Sequence, residues 1–100
     1  MKHIYICSPL RGDIETNTQK AKKYCQIALL HGYLPIAPHV YFTQFLDDNV
    51  DKQRQLGLEL GLYLLRYCSE IWVYGKPSEG MMAEIELAQQ LKIDVVYKNA

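Results

Sequence analysis

Short apolar segments alternate with longer segments in which apolar residues recur every three to four positions. The short segments are rich in β-branched and aromatic residues and predict four strands, at residues 3–7, 33–37, 71–74 and 93–97. Pro35 predicts an edge position for the second strand, because proline cannot donate to a strand ladder. Strands alternating with helices predict an α/β domain with a parallel sheet and right-handed crossovers.

Three longer segments predict helices. The first begins at Asp13 or at Thr16 and ends at Gly32; the others span residues 51–67 and, approximately, 80–91. Residues 51–67 carry leucine on nearly every side, and a helix that is apolar all round is expected to be buried all round. Gly57 and Gly61 form a small-residue seam that another helix could approach closely. This segment therefore predicts a homodimer or a higher homo-oligomer.

The segment from Pro38 to Val50 is too long for a simple connection in a chain of this size, and two uses for it stay open. In the first, its aromatic and acidic side chains contact a nucleoside by stacking and by hydrogen bonds to the sugar: Tyr41, Phe42, Asp47 and Asp48. In the second, Phe42, Phe45 and Leu46 fill the core under a short helix, and Asp48 or Asn49 caps the next helix. His39 is either a structural imidazole or a substrate contact.

The composition limits the classes of ligand that the chain is expected to bind. The chain has 100 residues, of which 49% are hydrophobic, and no flexible linker, so residues 1–100 are expected to form one domain. Eleven basic and eleven acidic residues give a net charge of zero without a run of like charge. Neither a nucleic-acid track nor a membrane surface is predicted, and a small ligand is favoured.

The chain is expected to be cytoplasmic, since it has neither an apolar run of about 20 residues nor a basic leader. Cys7, Cys25 and Cys68 lack C-x-x-C spacing and lie among apolar residues. They are interpreted as reduced, buried thiols with a structural role, and neither a metal nor a cofactor is predicted.

Two loops are suited to an anion. The segment Ser8–Gly12 follows the first strand and offers a hydroxyl, a flexible backbone and Arg11, whose guanidinium can bind a phosphate with two parallel N–H bonds. The second loop runs from Ser78 through Gly80 to Met81, where N–H groups at a helix start are free to face an anion. A solvated surface arginine is the alternative for the first loop.

Glu84 is the candidate for chemistry. At 100° per residue it falls on the apolar arc defined by Met81, Ile85 and Ala88, whereas Glu86 falls outside it. A carboxylate on a buried arc needs hydrogen-bond partners or a cavity, and such residues commonly serve catalysis or a fixed polar network. The alternative is a glutamate with a buried stem and a solvated head.

These residues together resemble the nucleoside 2-deoxyribosyltransferase-like superfamily, in particular its short phage and bacterial members and the 2'-deoxynucleoside 5'-monophosphate N-glycosidases. The resemblance rests on three segments and covers nearly the whole chain: Tyr5–Gly12, Pro35–His39, and Ser78–Met81 with Glu84. It implies a small flavodoxin-like or Rossmann-like three-layer sandwich with a parallel sheet of four to five strands.

By the same resemblance, Glu84 attacks the anomeric carbon of the sugar, expels the base and forms a glycosyl ester that water or another base resolves. Tyr5 would line the sugar or base pocket, and a 5'-phosphate would be held by Arg11 and the backbone of Gly12, Ser78 and Gly80. The chain would thus be an N-glycosidase or, alternatively, a base-exchange transferase.

Two departures from the family pattern leave other functions open. Ser8 is followed by Pro9, which shifts the family's serine hydroxyl by one position and removes a backbone donor. The family's aspartate before the third strand falls near Gly61 or Leu62, with three carboxylates as possible substitutes: Asp47, Asp48 and Glu59. The missing aspartate favours the rival function, a non-catalytic module that binds a nucleotide such as an ADP-ribose derivative; a protein with a vestigial pocket is the third possibility.

Overall fold

Residues 1–99, which the computed structural model describes, form four strands and four helices. In chain order these are β1 (His3–Cys7), α1 (Ile14–Leu30), β2 (Leu34–Ile36), α2 (Pro38–Phe42), α3 (Asp51–Leu65), β3 (Glu70–Tyr74), α4 (Glu79–Gln90) and β4 (Asp94–Lys98). The four predicted strands and the three predicted longer helices are confirmed, with ends displaced by one or two residues. Among these residues, none of the helices has the length and apolar character needed to cross a membrane.

All strand pairs are parallel, and the strands lie in the order β2-β1-β3-β4. The α/β class and the flavodoxin-like topology are therefore confirmed, with a sheet of four strands. β2 is an edge strand, as Pro35 predicts. The chain moves from β1 outward to β2 and then returns across β1 to β3, so the strand order reverses between β1 and β3. A crevice forms at such a reversal, beyond the carboxyl ends of the two strands.

The sheet has a core on each face, because successive side chains of a strand point to opposite sides. On one side, Ile4 and Ile6 of β1 and Trp72 of β3 pack with Tyr24 and Ala28 of α1. On the other side, the intervening residues of the same strands pack with α3 and α4 in a second cluster: Tyr5, Cys7, Ile71, Val73, Leu65, Met81, Ile85 and Ala88. The alternation along β1 thus places Tyr5 and Cys7 on the face that α4 covers.

The ends of α1 follow local rules. Of the two predicted starts, Asp13 is the N-cap, and its carboxylate accepts a hydrogen bond from the Thr16 backbone N–H at 3.1 Å. This bond and the Thr16 hydroxyl lower the pKa of Asp13. The helix ends one turn before β2, where Gly32 has a positive φ of 86°. That conformation favours glycine and reverses the chain toward the edge of the sheet.

The prediction for the seam on α3 is wrong. Gly57 lies against Leu46, and Gly61 lies against Tyr5, Pro38 and Glu84 of the same chain, so the seam faces inward. The helix is also not buried all round, since its outer side exposes Leu56 and Tyr63. Self-association stays a prediction, and its support moves from the glycine seam to this exposed side.

The segment from 38 to 50 combines features of both proposed uses. It opens with the short helix α2, and Leu46 is partly buried against Gly57, whereas Phe45 is 64% exposed and does not fill the core. The predicted cap of α3 by Asp48 or Asn49 is wrong, because Val50 is the N-cap and makes no side-chain cap hydrogen bond. This leaves the carboxylate of Asp48 available for another contact.

Candidate active site

A pocket of about 300 Å³ opens at the carboxyl ends of β1 and β3, where the strand order reverses. Its wall is completed by α2, by the inner side of α3 and by the first turns of α4. Nine of the predicted site residues line it: Tyr5, Ser8, Arg11, His39, Asp48, Ser78, Gly80, Met81 and Glu84. The fold therefore brings together side chains from segments that lie up to 79 positions apart.

The Glu84 carboxylate is held through both of its oxygens by residues of β1. The Tyr5 hydroxyl donates a hydrogen bond to Oε2, and the Cys7 thiol donates to Oε1 across 3.5 Å. Helix phase explains this placement, since Met81, Ile85 and Ala88 anchor α4 on the sheet and turn Glu84 toward β1. Of the two interpretations offered by the sequence, the structure has the buried carboxylate with hydrogen-bond partners and not the glutamate with a solvated head.

Burial raises the pKa of Glu84 to about 7, because desolvation disfavours the charged carboxylate. The hydrogen bonds from Tyr5 and Cys7 act in the opposite direction and lower this pKa, since they favour the ionised form. Burial, followed by the adjacent Glu84 charge, raises the pKa of Tyr5 well above its usual value, and the same two causes raise that of Cys7. Both groups therefore remain protonated donors at neutral pH, whereas Glu84 is poised between its two forms.

Ser8 and His39 form a second polar pair in the pocket, with Ser8 Oγ 2.8 Å from His39 Nε2. Burial lowers the pKa of His39 to about 4, so the imidazole is neutral at physiological pH. A neutral imidazole can accept from the serine hydroxyl or donate to it, depending on its tautomer. The pair can thus offer a substrate either a fixed hydroxyl or a ring nitrogen without adding charge.

Arg11 and Asp48 form an ion pair at the mouth of the pocket, with Nε 3.3 Å from Oδ2. Asp48 Oδ2 is buried and has no hydrogen bond within residues 1–99, so the contact is electrostatic and lacks hydrogen-bond geometry. Arg11 itself is largely exposed. The pair joins the loop after β1 to the segment that precedes α3.

The start of α4 is capped from within. The Ser78 hydroxyl accepts the backbone N–H of Met81 at 3.3 Å, and the first intrahelical bond runs from Met82 N–H to the Ser78 carbonyl at 2.9 Å. The Met81 donor is therefore occupied, which corrects the expectation that the donors of this turn are all free. The N–H groups of Glu79 and Gly80 precede the first intrahelical bond and lie at the positive end of the helix dipole.

Some predicted residues lie elsewhere. Gly12 and Tyr41 are absent from the pocket lining; Gly12 has a φ of 95° in an open turn, and Tyr41 packs edge to face against Phe42 and Phe45. Among the three carboxylates considered as replacements for the family aspartate, only Asp48 lines the pocket.

Three residues near Glu84 were not predicted as parts of the site. Cys7 contacts the carboxylate directly, Arg54 of α3 lines the pocket, and Gly61 lies under the Tyr5 hydroxyl. A Cβ at Gly61 would lie 2.9 Å from that hydroxyl oxygen and 3.8 Å from Glu84 Oε2, which excludes an aspartate there without rearrangement. Only the strand alternation that places Cys7 beside Tyr5 could have indicated the thiol from the sequence.

Comparisons with known proteins identify a family for the sequence and relatives of the fold. The sequence profile of the family described as "Domain of unknown function (DUF7768)" matches residues 2–98, and no curated protein matches the sequence. Among solved structures, a 2-deoxyribosyltransferase from the psychrotolerant bacterium Bacillus psychrosaccharolyticus has a TM-score of 0.76, with 14% identity over 97% of this chain and 72% of that one. A 2-deoxyribosyltransferase from Leishmania mexicana has a TM-score of 0.67, with 16% identity over 99% and 65%. The chain spans about two thirds of the Leishmania enzyme's length and shares the fold of both.

Proposed function

The chain belongs to the DUF7768 family, and we propose that it cleaves the N-glycosidic bond of a nucleoside or a nucleoside 5'-monophosphate with Glu84 as the nucleophile. We propose hydrolysis, in which water accepts the sugar, and the alternative is transfer of the sugar to a second base. Support for the substrate class comes from the fold, which is shared with 2-deoxyribosyltransferases, one of them described as a biocatalyst for nucleoside synthesis.

The observation that carries the proposal is the environment of the Glu84 carboxylate. It lies in the pocket with a donor on each oxygen, and its pKa of about 7 leaves a large ionised fraction at neutral pH. A carboxylate of raised pKa is a better nucleophile than a solvated one, and it remains a good leaving group once esterified. A glutamate that served only to stabilise the fold would gain little from facing a pocket.

The reaction proceeds in two balanced steps. A Glu84 oxygen forms a bond to the anomeric carbon as the bond from that carbon to the base nitrogen breaks, and the electron pair leaves with the base, which takes up a proton from water. In the second step water adds to the anomeric carbon, loses a proton, and releases the carboxylate. The sum is one nucleoside and one water converted to one free base and one sugar. A second base in place of water gives transfer.

A phosphate on the sugar is part of the proposal. The N–H groups of Glu79 and Gly80 lie at the start of α4, and the Arg11 guanidinium lies across the mouth of the pocket. Charge-assisted bonds from an arginine and from a helix start are a common way to hold a phosphate. Asp48 opposes this, since its carboxylate already pairs with Arg11 and would repel a second anion.

One observation favours a second function, binding of a nucleotide such as an ADP-ribose derivative without turnover. The resemblance puts the family aspartate near Gly61 or Leu62, neither of which carries a carboxylate, and a Cβ at Gly61 would meet the Tyr5 hydroxyl. If Asp48 does not supply the lost carboxylate, the pocket retains its anion-binding groups and loses a catalytic one. Such a protein would bind a nucleotide stoichiometrically and release no base.

The test is a base-release assay on a panel of nucleosides and nucleoside 5'-monophosphates, with calorimetry on the same panel. Glu84→Gln is expected to abolish base release and to leave ground-state binding within about tenfold, because only the nucleophile is lost. Mass spectrometry of quenched wild-type reactions is expected to find the sugar attached to the peptide that contains Glu84. Glu86→Gln, two positions away and exposed, is the matched control. Unchanged base release in Glu84→Gln would exclude the mechanism, and binding without release would establish the second function.

A further inference from the structure

The thiol of Cys7 occupies a defined place in the carboxylate network. Its sulfur lies 3.5 Å from Glu84 Oε1 and 4.0 Å from the Met81 carbonyl oxygen, and Cys7, at the end of β1, is fully buried on the face of the sheet that α4 covers. The other carboxylate oxygen, Oε2, accepts from the Tyr5 hydroxyl. The two donors come from alternate positions of one strand, so they approach the carboxylate from a rigid base.

The two donors differ in strength. A phenol is a good hydrogen-bond donor, whereas a thiol is a weak one. An oxygen that accepts a strong hydrogen bond has less electron density to share with an electrophile than one that accepts a weak bond. Because the donors sit on different oxygens, the carboxylate is polarised, and Oε1 is the more nucleophilic of the two.

We propose that Cys7 is a positioning residue that orients the Glu84 carboxylate and leaves Oε1 as the oxygen that attacks the anomeric carbon. The inference rests on the proposed function for its catalytic meaning. Its structural content, a thiol donor on Oε1 of Glu84, stands independently of turnover. Burial keeps Cys7 protonated, so the thiol acts as a donor and does not compete as a nucleophile.

Several charged and titratable groups line the same pocket as Glu84, and a test must separate their effects from that of Cys7. Tyr5 lies beside Cys7 on β1, His39 belongs to α2, Arg54 to α3 and Glu79 to the first turn of α4, and the Arg11–Asp48 pair closes the mouth. A substitution at Cys7 leaves all of these groups in place. Cys68 supplies the matched control, since it is a second buried thiol of the same core cluster whose sulfur faces the Leu64 carbonyl.

The experiment measures the titration of Glu84 directly, by carbon NMR of labelled glutamate carboxyl groups, with Glu84→Gln to assign the resonance. Cys7→Ala removes the donor and is expected to lower the acid dissociation constant of Glu84 by about three- to tenfold, because the lost hydrogen bond favours the charged carboxylate. Cys7→Ser keeps a donor at that place and is expected to restore most of the ionisation. Cys68→Ala is expected to leave it unchanged.

Turnover gives the second readout. In Cys7→Ala, kcat for base release is expected to fall by about three- to tenfold with little change in KM, because orientation of the attacking oxygen matters in the transition state.

If Cys7→Ala and Cys68→Ala titrate alike, Cys7 is only a core residue and the inference is overturned. If no variant, nor the wild type, releases a base, the proposed function fails, and the titration still decides the role of Cys7. Should Cys7→Ala fail to fold, Cys7→Ser tests the role through kcat, because a hydroxyl is a stronger donor than a thiol and should make Oε1 less nucleophilic. It is expected to keep Glu84 ionised and to lower kcat, and a kcat equal to that of wild type would refute a role that depends on the thiol's weak donation.

Discussion

Arg11 Nε lies 3.3 Å from Asp48 Oδ2, so the only arginine of the predicted phosphate loop is paired with a carboxylate before any ligand arrives. The sequence alone predicts that Arg11 serves a phosphate. The structure adds a competitor, because a phosphate must share the guanidinium with Asp48. The Arg11 side chain is 60% exposed, so an anion can still approach its guanidinium.

Arg11→Ala is expected to lower kcat/KM or affinity for a nucleoside 5'-monophosphate by about ten- to a hundredfold, and to change the values for the bare nucleoside far less. A charge-assisted bidentate contact contributes roughly 1.5 to 3 kcal/mol, which corresponds to that range. The comparison needs one nucleoside with and without its phosphate on both proteins. Arg66→Ala, an exposed arginine at the far end of α3, is the control. If wild type treats the two ligands alike, the monophosphate is not the preferred substrate.

The rate of base release is expected to depend on the ionisation of Glu84. With a pKa of about 7, kcat/KM should fall tenfold for each pH unit below 7, because only the ionised carboxylate attacks. His39 has a pKa of about 4 and stays neutral across most of this range. Tyr5→Phe removes a hydrogen bond that favours the ionised form, so its acid limb should move to higher pH. A wild-type limb near pH 4.5 would mean that the carboxylate is solvated.

The raised pKa of Glu84 also makes the free energy of unfolding depend on pH. The folded-state pKa of Glu84 lies above its unfolded value of 4.5, so the folded protein holds this proton more tightly, and the contribution is complete below pH 4.5 and is lost as pH rises through 7. Relative to Glu84→Gln, the wild type is expected to lose about 3 kcal/mol of unfolding free energy between these limits. Urea denaturation of both proteins at intervals from pH 4 to pH 8 measures the difference. Parallel curves would contradict the raised pKa.

Gly61 and Gly57 are expected to respond oppositely to alanine. A Cβ at Gly61 would lie 2.9 Å from the Tyr5 hydroxyl, whereas one at Gly57 would make an ordinary contact of 3.6 Å with Leu46. Gly61→Ala should therefore destabilise by about 1 to 3 kcal/mol, and Gly57→Ala should stabilise by up to about 1 kcal/mol through helix propensity. Tyr5→Phe should relieve much of the first effect, which a double-mutant cycle in urea measures. Equal effects at the two glycines would show that the hydroxyl does not constrain Gly61.

Much of the fold and the main chemical group follow from local patterns. Apolar alternation locates the strands, Pro35 identifies the edge strand, and the phase of α4 identifies Glu84 as facing inward. These features depend on residues close in sequence, whose geometry is set by the strand or helix that contains them. The placement of the pocket also follows, since the strand order of a parallel sheet decides where its crevice lies.

The failures have a common physical origin. Leucines on nearly every side of α3 leave its orientation undetermined by periodicity, so the inward direction of Gly57 and Gly61 could not be predicted. Cys7 resembles any small apolar residue in a strand until Glu84, which faces it from α4, is known to be its neighbour. The Arg11–Asp48 contact joins two loops that lie 37 positions apart. Loop residues have no periodic pattern from which such a contact could be predicted.

The hydrogen bond between Tyr5 and Glu84 spans 79 positions, and this separation has a consequence during synthesis of the chain. β1 is made first, yet its pairing with β3 begins at Glu70. At about 5 to 20 residues per second, a nascent chain waits roughly 3 to 13 seconds with one edge of β1 unpaired. Parallel pairing offers no hairpin that could cover this edge earlier. The nascent chain is therefore a candidate client for chaperones during that interval, and the contact between Tyr5 and Glu84 can form only after residue 84 has been made.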